Sequence, residues 1–347
     1  MEYSLYLHPF LRAIILVGGV AGIIRWLIPS RGNCNKGAIL GRHVHVHPIS
    51  RLGGLAIIFG FLGALLADTR LFFSEPLVGV CLATGVILVF GLVDDIWELG
   101  WKSQLAVQTT LAFLVYWWGV RILFISNPFG GVIWLQQGDM WFPGLTLMVL
   151  WILVVMNAVN WMDGIDGLSG GVTFLAAGVI FLLALKPEVN QPPVGIIAIA
   201  LAGAVLGFLL FNFYPARLFA GTTGSMFMGF ILAVLAIFAG TKIATALLVL
   251  AVPMVDFVWV IAERFLAGQA IVRADQRHLH HKLLALGWSQ QKIAWLFYGI
   301  TGTIGFVALY TQAVGKFVAV IVSLSLVAVA VGVTSWKYRR IQKNAKN

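Results

Sequence analysis

"PVGIIAIALAGAVLGFLLF" covers residues 193–211 and contains no charged side chain. A helix needs about 20 mainly apolar residues to cross the hydrocarbon core of a bilayer, so this stretch is long enough for one crossing. Comparable runs occur at about 10–28, 51–67, 76–92, 103–119, 143–159, 168–185, 225–240, 242–262, 292–311 and 316–336. Because backbone groups in lipid must be hydrogen-bonded within their own segment, we expect all eleven runs to be helices.

The composition agrees with this pattern. Of the 347 residues, 60% are hydrophobic and 10% are charged, and the mean hydropathy is +0.95. Soluble domains carry about 25% charged residues, so a soluble protein is excluded. We predict an all-α integral membrane protein with about eleven transmembrane helices, forming one polytopic domain over residues 1–347. Cys34 and Cys81 lie in different segments and predict no disulfide framework.

The basic residues predict the orientation, because Lys and Arg accumulate on the cytosolic side. With the C-terminus inside, 17 of the 23 Lys and Arg residues fall at inner helix ends. The six at outer ends are Arg12, Arg70, Arg121, Lys186, Lys242 and Lys316. We therefore expect an N-out, C-in topology, with cytosolic loops at about 29–51, 93–103, 160–168, 212–224 and 263–291. Topology and a basic tail near anionic lipid account for the net charge of +10, so no nucleic-acid partner is expected.

The polar residues are concentrated on the same side. Six of the seven histidines and most carboxylates fall at inner helix ends or in inner loops. A transporter would instead place charges at mid-membrane, so we predict an active site on the cytosolic face. Asp256 alone lies within an apolar run, where it is either functional or a structural partner of Arg264. The longest outer stretch, 127–143, is expected to be an amphipathic surface segment.

Two stretches at inner ends carry carboxylates and amides. Asp94 and Asp95 are adjacent, so they either form a solvated helix end or hold a cation between them. In "NAVNWMDGIDGLSGG" (157–171) an amide or acid recurs every third residue, at Asn157, Asn160, Asp163 and Asp166. Neighbouring members of such a series share a helix face, and the glycines between them would let backbone approach a ligand.

A histidine cluster lies in the last inner loop. His278 and His281 are i, i+3 neighbours, while His280 points elsewhere. Three histidines could bind zinc, but Arg277 and Lys282 flank them, and this positive setting favours phosphate oxygens. A basic surface loop is the remaining alternative. The "HVHVH" stretch (43–47) is interpreted as part of another basic inner loop.

"GTTGS" (221–225) is a small polar break between two apolar runs. Such a break either lets the chain turn at the surface or shapes a site. A phosphate or metal site of this build would normally carry a carboxylate, and this stretch has none.

Carboxylates, amides and basic residues at an inner membrane face suit a metal-assisted reaction between a nucleotide diphosphate and a lipid. In their order along the chain and in their residue sequences, the motifs resemble those of the polyprenyl-phosphate N-acetylhexosamine-1-phosphate transferase family. The matching stretches are "RHVHVHPISRLGGLAI", "GLVDDIWEL", "NAVNWMDGIDGLSGG", "FNFYPARLFAGTTGS", "VPMVDFVWVIAER" and "DQRHLHHKLLALGWS". The "RHLHHKLL" form is similar to the initiators of O-antigen and teichoic-acid linkage synthesis and differs from the lipid I translocase.

The resemblance implies the reaction and its partners. A UDP-N-acetylhexosamine, with N-acetylglucosamine as the default, would react with undecaprenyl phosphate in the bacterial cytoplasmic (inner) membrane. The products would be undecaprenyl-diphospho-N-acetylhexosamine and UMP, with Mg²⁺ or Mn²⁺ as the cofactor. The lipid product would start a cell-surface glycan such as an O-antigen, and the enzyme would be a multi-pass protein that can form a homodimer.

The resemblance also implies residue roles. Asp94 and Asp95 match the paired catalytic aspartates, one of which positions or deprotonates the lipid phosphate or, in another view, is a covalent nucleophile. Asn160 matches a metal-side amide, and Asp94 is a further metal candidate. The implied substrate-binding residues are Asp163 and Asp166 near the nucleotide, Phe219 on the uracil, His278, His280 and His281 at the diphosphate or sugar, and Arg51.

The sequence departs from the family pattern twice. A basic residue expected after the aspartate pair would fall near Gln104, with Lys102 the nearest substitute. Thr222 stands where the family has a metal-binding aspartate, and a neutral hydroxyl is a poor Mg²⁺ ligand. Three explanations stay open: an altered inactive form, a natural variant with other metal ligands, or a homologue that binds without catalysing. A lipid-linked or ion-coupled transporter is the rival class.

Overall fold

The structure, a computed structural model, describes residues 4–27, 49–127, 129–136, 141–239, 243–268 and 277–344. The "HVHVH" stretch and most of the predicted 29–51 loop lie outside these residues. The helices are α1 (Ser4–Leu27), α2 (Gly53–Leu66), α3 (Glu75–Trp97), α4 (Trp101–Trp117), α5 (Phe142–Met162), α6 (Leu168–Ala184), α7 (Pro192–Asn212), α8 (Gly221–Phe238), α9 (Ile243–Val249), α10 (Ala251–Leu266), α11 (Leu279–Ala285), α12 (Gln290–Tyr310) and α13 (Ala313–Asn344).

Within the described ranges, seven helices are long and apolar enough to cross a membrane: α1, α3, α5, α7, α8, α12 and α13. The bent pair α9–α10 would make an eighth span, and α2 and α6 are shorter apolar helices. The prediction of a helical integral membrane protein is therefore confirmed. Each of the eleven predicted runs contains a helix, but the count of eleven crossings and the N-out, C-in orientation stay predictions.

The run predicted as one helix over 242–262 is broken. α9 ends at Val249 and α10 begins at Ala251, with an angle of 80° between them. Pro253 provides the physical reason, because a proline ring clashes with the carbonyl four residues earlier, here that of Val249. In the first turn of α10 the same proline is tolerated, since the amide groups there have no partner within the helix.

A small hairpin interrupts the helical pattern. β1 (Phe124–Ser126) pairs antiparallel with β2 (Val132–Trp134), with Ile125 opposite Ile133. The side chains of β2 are exposed. β2 falls within the predicted surface segment 127–143 and is exposed, but it is a strand of a hairpin rather than the helical structure expected for the whole chain.

α8 is the centre of the bundle. In its membrane window 83% of the residues are buried, compared with 11% for α13. α2 and α3 pack directly against its first turn. A Cβ on Gly54 would lie 2.3 Å from Gly224 N, and one on Gly91 would lie 2.5 Å from Thr223 Cα. α3, which carries Asp94, and α2, which begins just after Arg51, are thus held against the start of α8.

Candidate active site

The "GTTGS" stretch forms the first turn of α8, which begins at Gly221. The 212–224 loop predicted from the sequence is therefore shorter by one helical turn. The first amides of a helix lack partners within it and attract negative charge. Asp95, at the end of α3, supplies that partner: its Oδ1 accepts from Thr222 N at 2.7 Å and its Oδ2 from Thr223 N at 3.1 Å.

Thr223 adds a third bond to the same carboxylate. Its Oγ1 donates to Asp95 Oδ2 at 2.7 Å. Asp95 is thus an N-cap supplied by another helix, and it fixes where α8 begins. The threonine in the motif serves this cap through Thr223, which is fully buried.

Gly221 is required by the same contact. Its φ is +67°, in the left-handed region, and an added Cβ would lie 2.6 Å from both Asp95 Oδ2 and Arg51 O. Only glycine combines that backbone conformation with so close an approach.

The segment before α2 pairs with the loop that leads into α8. Phe219 N donates to Ser50 O at 2.9 Å, Gly53 N to Phe219 O at 2.8 Å and Gly54 N to Ala220 O at 2.9 Å. These backbone bonds fix Phe219, which is partly buried, beside the cap. They also place Arg51 there, and its charge acts on both Asp95 and Asp163.

Asp94 has a different environment from its neighbour. It is 4% exposed, and Gln104 Nε2 donates to its two oxygens at 3.2 and 3.0 Å. Gln104, at the position where the resemblance expects a basic residue, therefore does contact the aspartate pair, but without a positive charge.

The end of α5 carries the predicted amides to the same turn. Asn160 Oδ1 accepts from Ser225 Oγ at 2.6 Å, and Ser225 Oγ also donates to Gly221 O at 2.8 Å. Asn157 is used elsewhere: its Nδ2 donates to Gln108 Oε1 at 2.6 Å, which ties α5 to α4.

Asp163 follows α5 directly and lies outside the spanning segments. Ser169 Oγ donates to its Oδ1. Burial raises the pKa of Asp163 to about 6, and the nearby negative charge of Asp95 acts in the same direction. Two carboxylates in one apolar site repel each other, and a cation between them would relieve that repulsion.

Asp166 is 1% exposed and bridges loops. Its Oδ2 accepts from Ala216 N at 2.8 Å, and its own amide donates to Gln290 Oε1 at 3.1 Å. It therefore joins the α5–α6 loop to the α7–α8 loop and to α12. These bonds position the loops; contact with a nucleotide stays a prediction.

The histidine motif packs onto the α5–α6 loop. A Cβ on Gly164 would lie 2.4 Å from His280 Nε2 and 3.3 Å from His281 Nε2. His278 Nδ1 lies 2.9 Å from Asp256 Oδ2, and Asp256 Oδ1 accepts from Leu279 N at 2.8 Å. Asp256 thus holds the start of α11. The sequence left open whether this residue is functional or a structural partner of Arg264, and these contacts give it a structural role.

His280 is less basic than an ordinary histidine. Burial lowers the pKa of His280 well below its usual range, with His281 and His278 adding to the effect. Lys282 is 2% exposed, and its Nζ donates to Glu263 Oε2 at 3.1 Å and Ser335 Oγ at 2.7 Å. The expectation that Lys282 adds positive charge beside the histidines is wrong, because this lysine is paired inside the protein.

No group of three His, Cys, Asp or Glu side chains among the described residues is arranged to hold a metal ion, so the zinc alternative gains no support. Mg²⁺ requires fewer protein ligands, because one or two carboxylates together with substrate phosphates commonly hold it. Asp95 and Asp163, which interact electrostatically, and the amide oxygen of Asn160 fit such a partial ligand set. Thr222, partly buried beside them, would add only a neutral oxygen.

Several site residues could not be found from the sequence. Thr223, Ser225 and Ser169 bind the predicted acids and amides, but small hydroxyl residues are common at helix starts for other reasons. Gln290 lies more than a hundred residues from Asp166, and no local pattern connects them.

Comparisons with known proteins agree with the motifs. Residues 77–240 match the family described as Glycosyl transferase family 4. A Mycobacterium tuberculosis decaprenyl-phosphate N-acetylglucosaminephosphotransferase is 33% identical over 334 residues, covering 85% of this chain and 82% of that protein. A Bacillus subtilis protein named "Probable undecaprenyl-phosphate N-acetylglucosaminyl 1-phosphate transferase" is 29% identical over 296 residues, covering 84% and 80%. A Clostridium beijerinckii phospho-N-acetylmuramoyl-pentapeptide-transferase is 30% identical over 280 residues, covering 74% and 82%.

Proposed function

Since the chain belongs to the polyprenyl-phosphate N-acetylhexosamine-1-phosphate transferase family, we propose that it transfers N-acetylglucosamine 1-phosphate from UDP-N-acetylglucosamine to undecaprenyl phosphate. A lipid phosphate oxygen attacks the sugar-bearing phosphorus of the donor. A new P–O bond forms, the bond to the other phosphate breaks, and UMP leaves. The product is a diphosphate-linked sugar on a lipid of the bacterial inner membrane, which starts a surface glycan.

One observation carries this proposal: two carboxylates and an amide, from the ends of α3 and α5, meet at the first turn of α8. Asp95 binds the turn directly, Asn160 binds it through Ser225, and Asp163 interacts with Asp95. A site rich in carboxylates binds anionic substrates only with a cation. When bound, Mg²⁺ supplies positive charge for the two phosphates, and Asp163, Asn160 and Asp95 are the residues that would hold it.

The two aspartates have different roles in this proposal. Asp95 accepts three hydrogen bonds from α8, and we assign it mainly to positioning. Among the described residues, Asp94 accepts from a single amide nitrogen, that of Gln104, so displacing that side chain frees both of its oxygens from this contact. We propose that Asp94 accepts the proton of the lipid phosphate on one of its carboxylate oxygens.

Arg51, Phe219 and the histidines complete the proposed substrate site. Arg51 and Phe219 lie on the paired segments next to the cap, where Phe219 would offer a ring face to uracil. His280, with a lowered pKa, would contribute a neutral imidazole, so it would bind phosphate or sugar oxygens through a hydrogen bond rather than a charge.

The test is an assay of UMP release. Purified full-length protein is mixed with UDP-N-acetylglucosamine, undecaprenyl phosphate and Mg²⁺, with reactions lacking the lipid as the control. Lipid-dependent UMP release and a new lipid-linked sugar support the proposal. Donor binding without UMP release would identify a binding homologue. Substrate flux into liposomes without UMP release would identify a transporter, a reading that the structural use of Asp256 by His278 and Leu279 disfavours.

A further inference from the structure

A cavity of about 590 Å³ lies at the end of the bundle opposite to Asp95. It is bordered by the end of α6, by α9, by the end of α12 and by the start of α13. α8 separates the two sites: it starts at the cap and runs for 18 residues, about 27 Å at the usual rise per residue. The cavity therefore belongs to no part of the proposed transferase site.

The wall of the cavity is apolar. Leu147, Leu183, Leu247, Leu309, Phe317 and Val320 supply most of it. The volume is in the range of about 300–1,000 Å³ that is typical of sites for small molecules. Such a wall favours a hydrocarbon chain over water, because a buried water needs two or more polar partners.

Two lysines border the same cavity. Lys186 and Lys316 line it together with Glu188, so its formal charge is +1. Lys186 Nζ donates to Leu309 O and lies 5.4 Å from the centroid of the Tyr310 ring. An ammonium group has three donors, so Lys186 retains capacity for an anion.

A buried hydroxyl group points to a polar ligand atom. Thr245, on α9, is 1% exposed and lines the cavity. Its Oγ1 has no hydrogen-bond partner in the described part of the chain. Buried hydroxyl groups are nearly always paired, and a ligand oxygen in the cavity would satisfy this one.

We propose that this cavity binds one acyl chain of an anionic membrane phospholipid. The chain lies along the apolar wall, the headgroup phosphate binds Lys186 and Lys316, and an ester oxygen accepts from Thr245 Oγ1. This order of anion, ester and hydrocarbon is that of a phospholipid. The occupied cavity would hold α9 against α12 and α13 and so stabilise the bend between α9 and α10.

Lipid titration tests the proposal. Full-length protein is purified in detergent and stripped of lipid, and dioleoyl phosphatidylglycerol or dioleoyl phosphatidylcholine is then added. Native mass spectrometry counts the bound molecules, and thermal unfolding reports stabilisation. We expect one phosphatidylglycerol to bind at least tenfold more tightly than phosphatidylcholine and to raise the unfolding temperature. Inorganic phosphate at the same concentration should not compete.

Variants locate the binding. The double variant Lys186→Gln/Lys316→Gln should lower phosphatidylglycerol affinity about tenfold, to the level of phosphatidylcholine. Lys337→Gln/Lys343→Gln is the matched control, because these exposed lysines lie at the other end of α13, and it should change nothing. Leu247→Trp, which fills the cavity, should prevent binding of both lipids, and Thr245→Val should lower affinity severalfold.

Three results would overturn the proposal. Equal affinity for the two lipids would exclude recognition of the anionic headgroup. Unchanged affinity in the Lys186→Gln/Lys316→Gln and Leu247→Trp proteins would place the lipid elsewhere. Competition by inorganic phosphate would show an anion site that needs no acyl chain. None of these measurements uses transferase activity, so the result is independent of the proposed function.

Discussion

Two polar junctions on the same face of the bundle differ in the charge of the groups that contact their carboxylates. At the α8 junction, formed by Asp94, Asp95 and Asp163, the hydrogen-bond donors are the neutral groups of Gln104, Thr222, Thr223 and Ser169. At the α11 junction, formed by Asp256 and Glu263, the donors include Lys282 and Arg339, with His278 beside Asp256.

The difference separates a ligand site from a structural one. At the α11 junction Lys282 and Arg339 neutralise Glu263, while Asp256 accepts from the backbone amide of Leu279 and lies beside His278, so both acids have partners within the protein. The acids of the α8 junction are oriented by neutral donors, and Arg51 acts on them while also contacting Glu98. The junction keeps a negative excess that a cation and a substrate phosphate can complement.

Asp94→Asn should have the largest effect. It preserves shape and can still bond to Gln104, but it removes the group assigned to the lipid proton. We expect UMP release to fall by about 10²–10⁴-fold with little change in unfolding temperature. Gln104→Ala is the companion variant and should cost far less activity. Normal turnover by Asp94→Asn would contradict the assignment of the α8 junction as the catalytic site.

Glu263→Gln should have the largest effect on stability. It leaves the buried Lys282 ammonium without its anion, and removing one partner of a buried pair costs about 3 kcal/mol or more. Arg339→Gln is the matched control, since this residue binds the same carboxylate but is 69% exposed and should cost less than about 1 kcal/mol. Unfolding in mixed micelles measures both. Equal losses would mean that the α11 junction is not stabilised by the buried pair.

Asp163 should make stability depend on pH. Its pKa is raised to about 6 in the folded protein, so the folded state binds this proton more tightly than the unfolded chain. The resulting stability is present below about pH 4 and is lost as the pH rises to about 6. Relative to wild type, Asp163→Asn should therefore gain about 3 kcal/mol between those values. Parallel pH profiles of the two proteins would contradict this.

Thr222→Asp examines the expected metal position. A carboxylate there would face Asp95 but would also lie in the first turn of α8, where negative charge is favoured. We expect the Mg²⁺ concentration for half-maximal UMP release to fall about tenfold. Thr222→Asn, similar in shape but neutral, is the control and should change it little. Equal responses would place the metal away from residue 222.

The sequence predicted the helical membrane fold and the grouping of the inner-face motifs, because hydrophobic run length and motif order are local signals. It did not predict which acid binds which donor. The cap of α8 by Asp95 joins residues 127 positions apart, and the paired state of Lys282 depends on α13. Gly221 was seen only as part of a polar break, although its positive φ and its contact with Asp95 explain why glycine stands there.

Thr223→Val should have the smallest effect and tests why the motif contains threonine. Valine keeps the shape but removes the hydroxyl bond to Asp95, while the two backbone bonds remain. A single hydrogen bond to a charged group contributes about 1.5–3 kcal/mol, and we expect about 1 kcal/mol because the other two hold the carboxylate. Thr223→Ser keeps the hydroxyl and should retain stability. If the Thr223→Val and Thr223→Ser proteins were equally stable, the two backbone hydrogen bonds alone would hold the cap. Thr223 would then serve only to pack against Gly91.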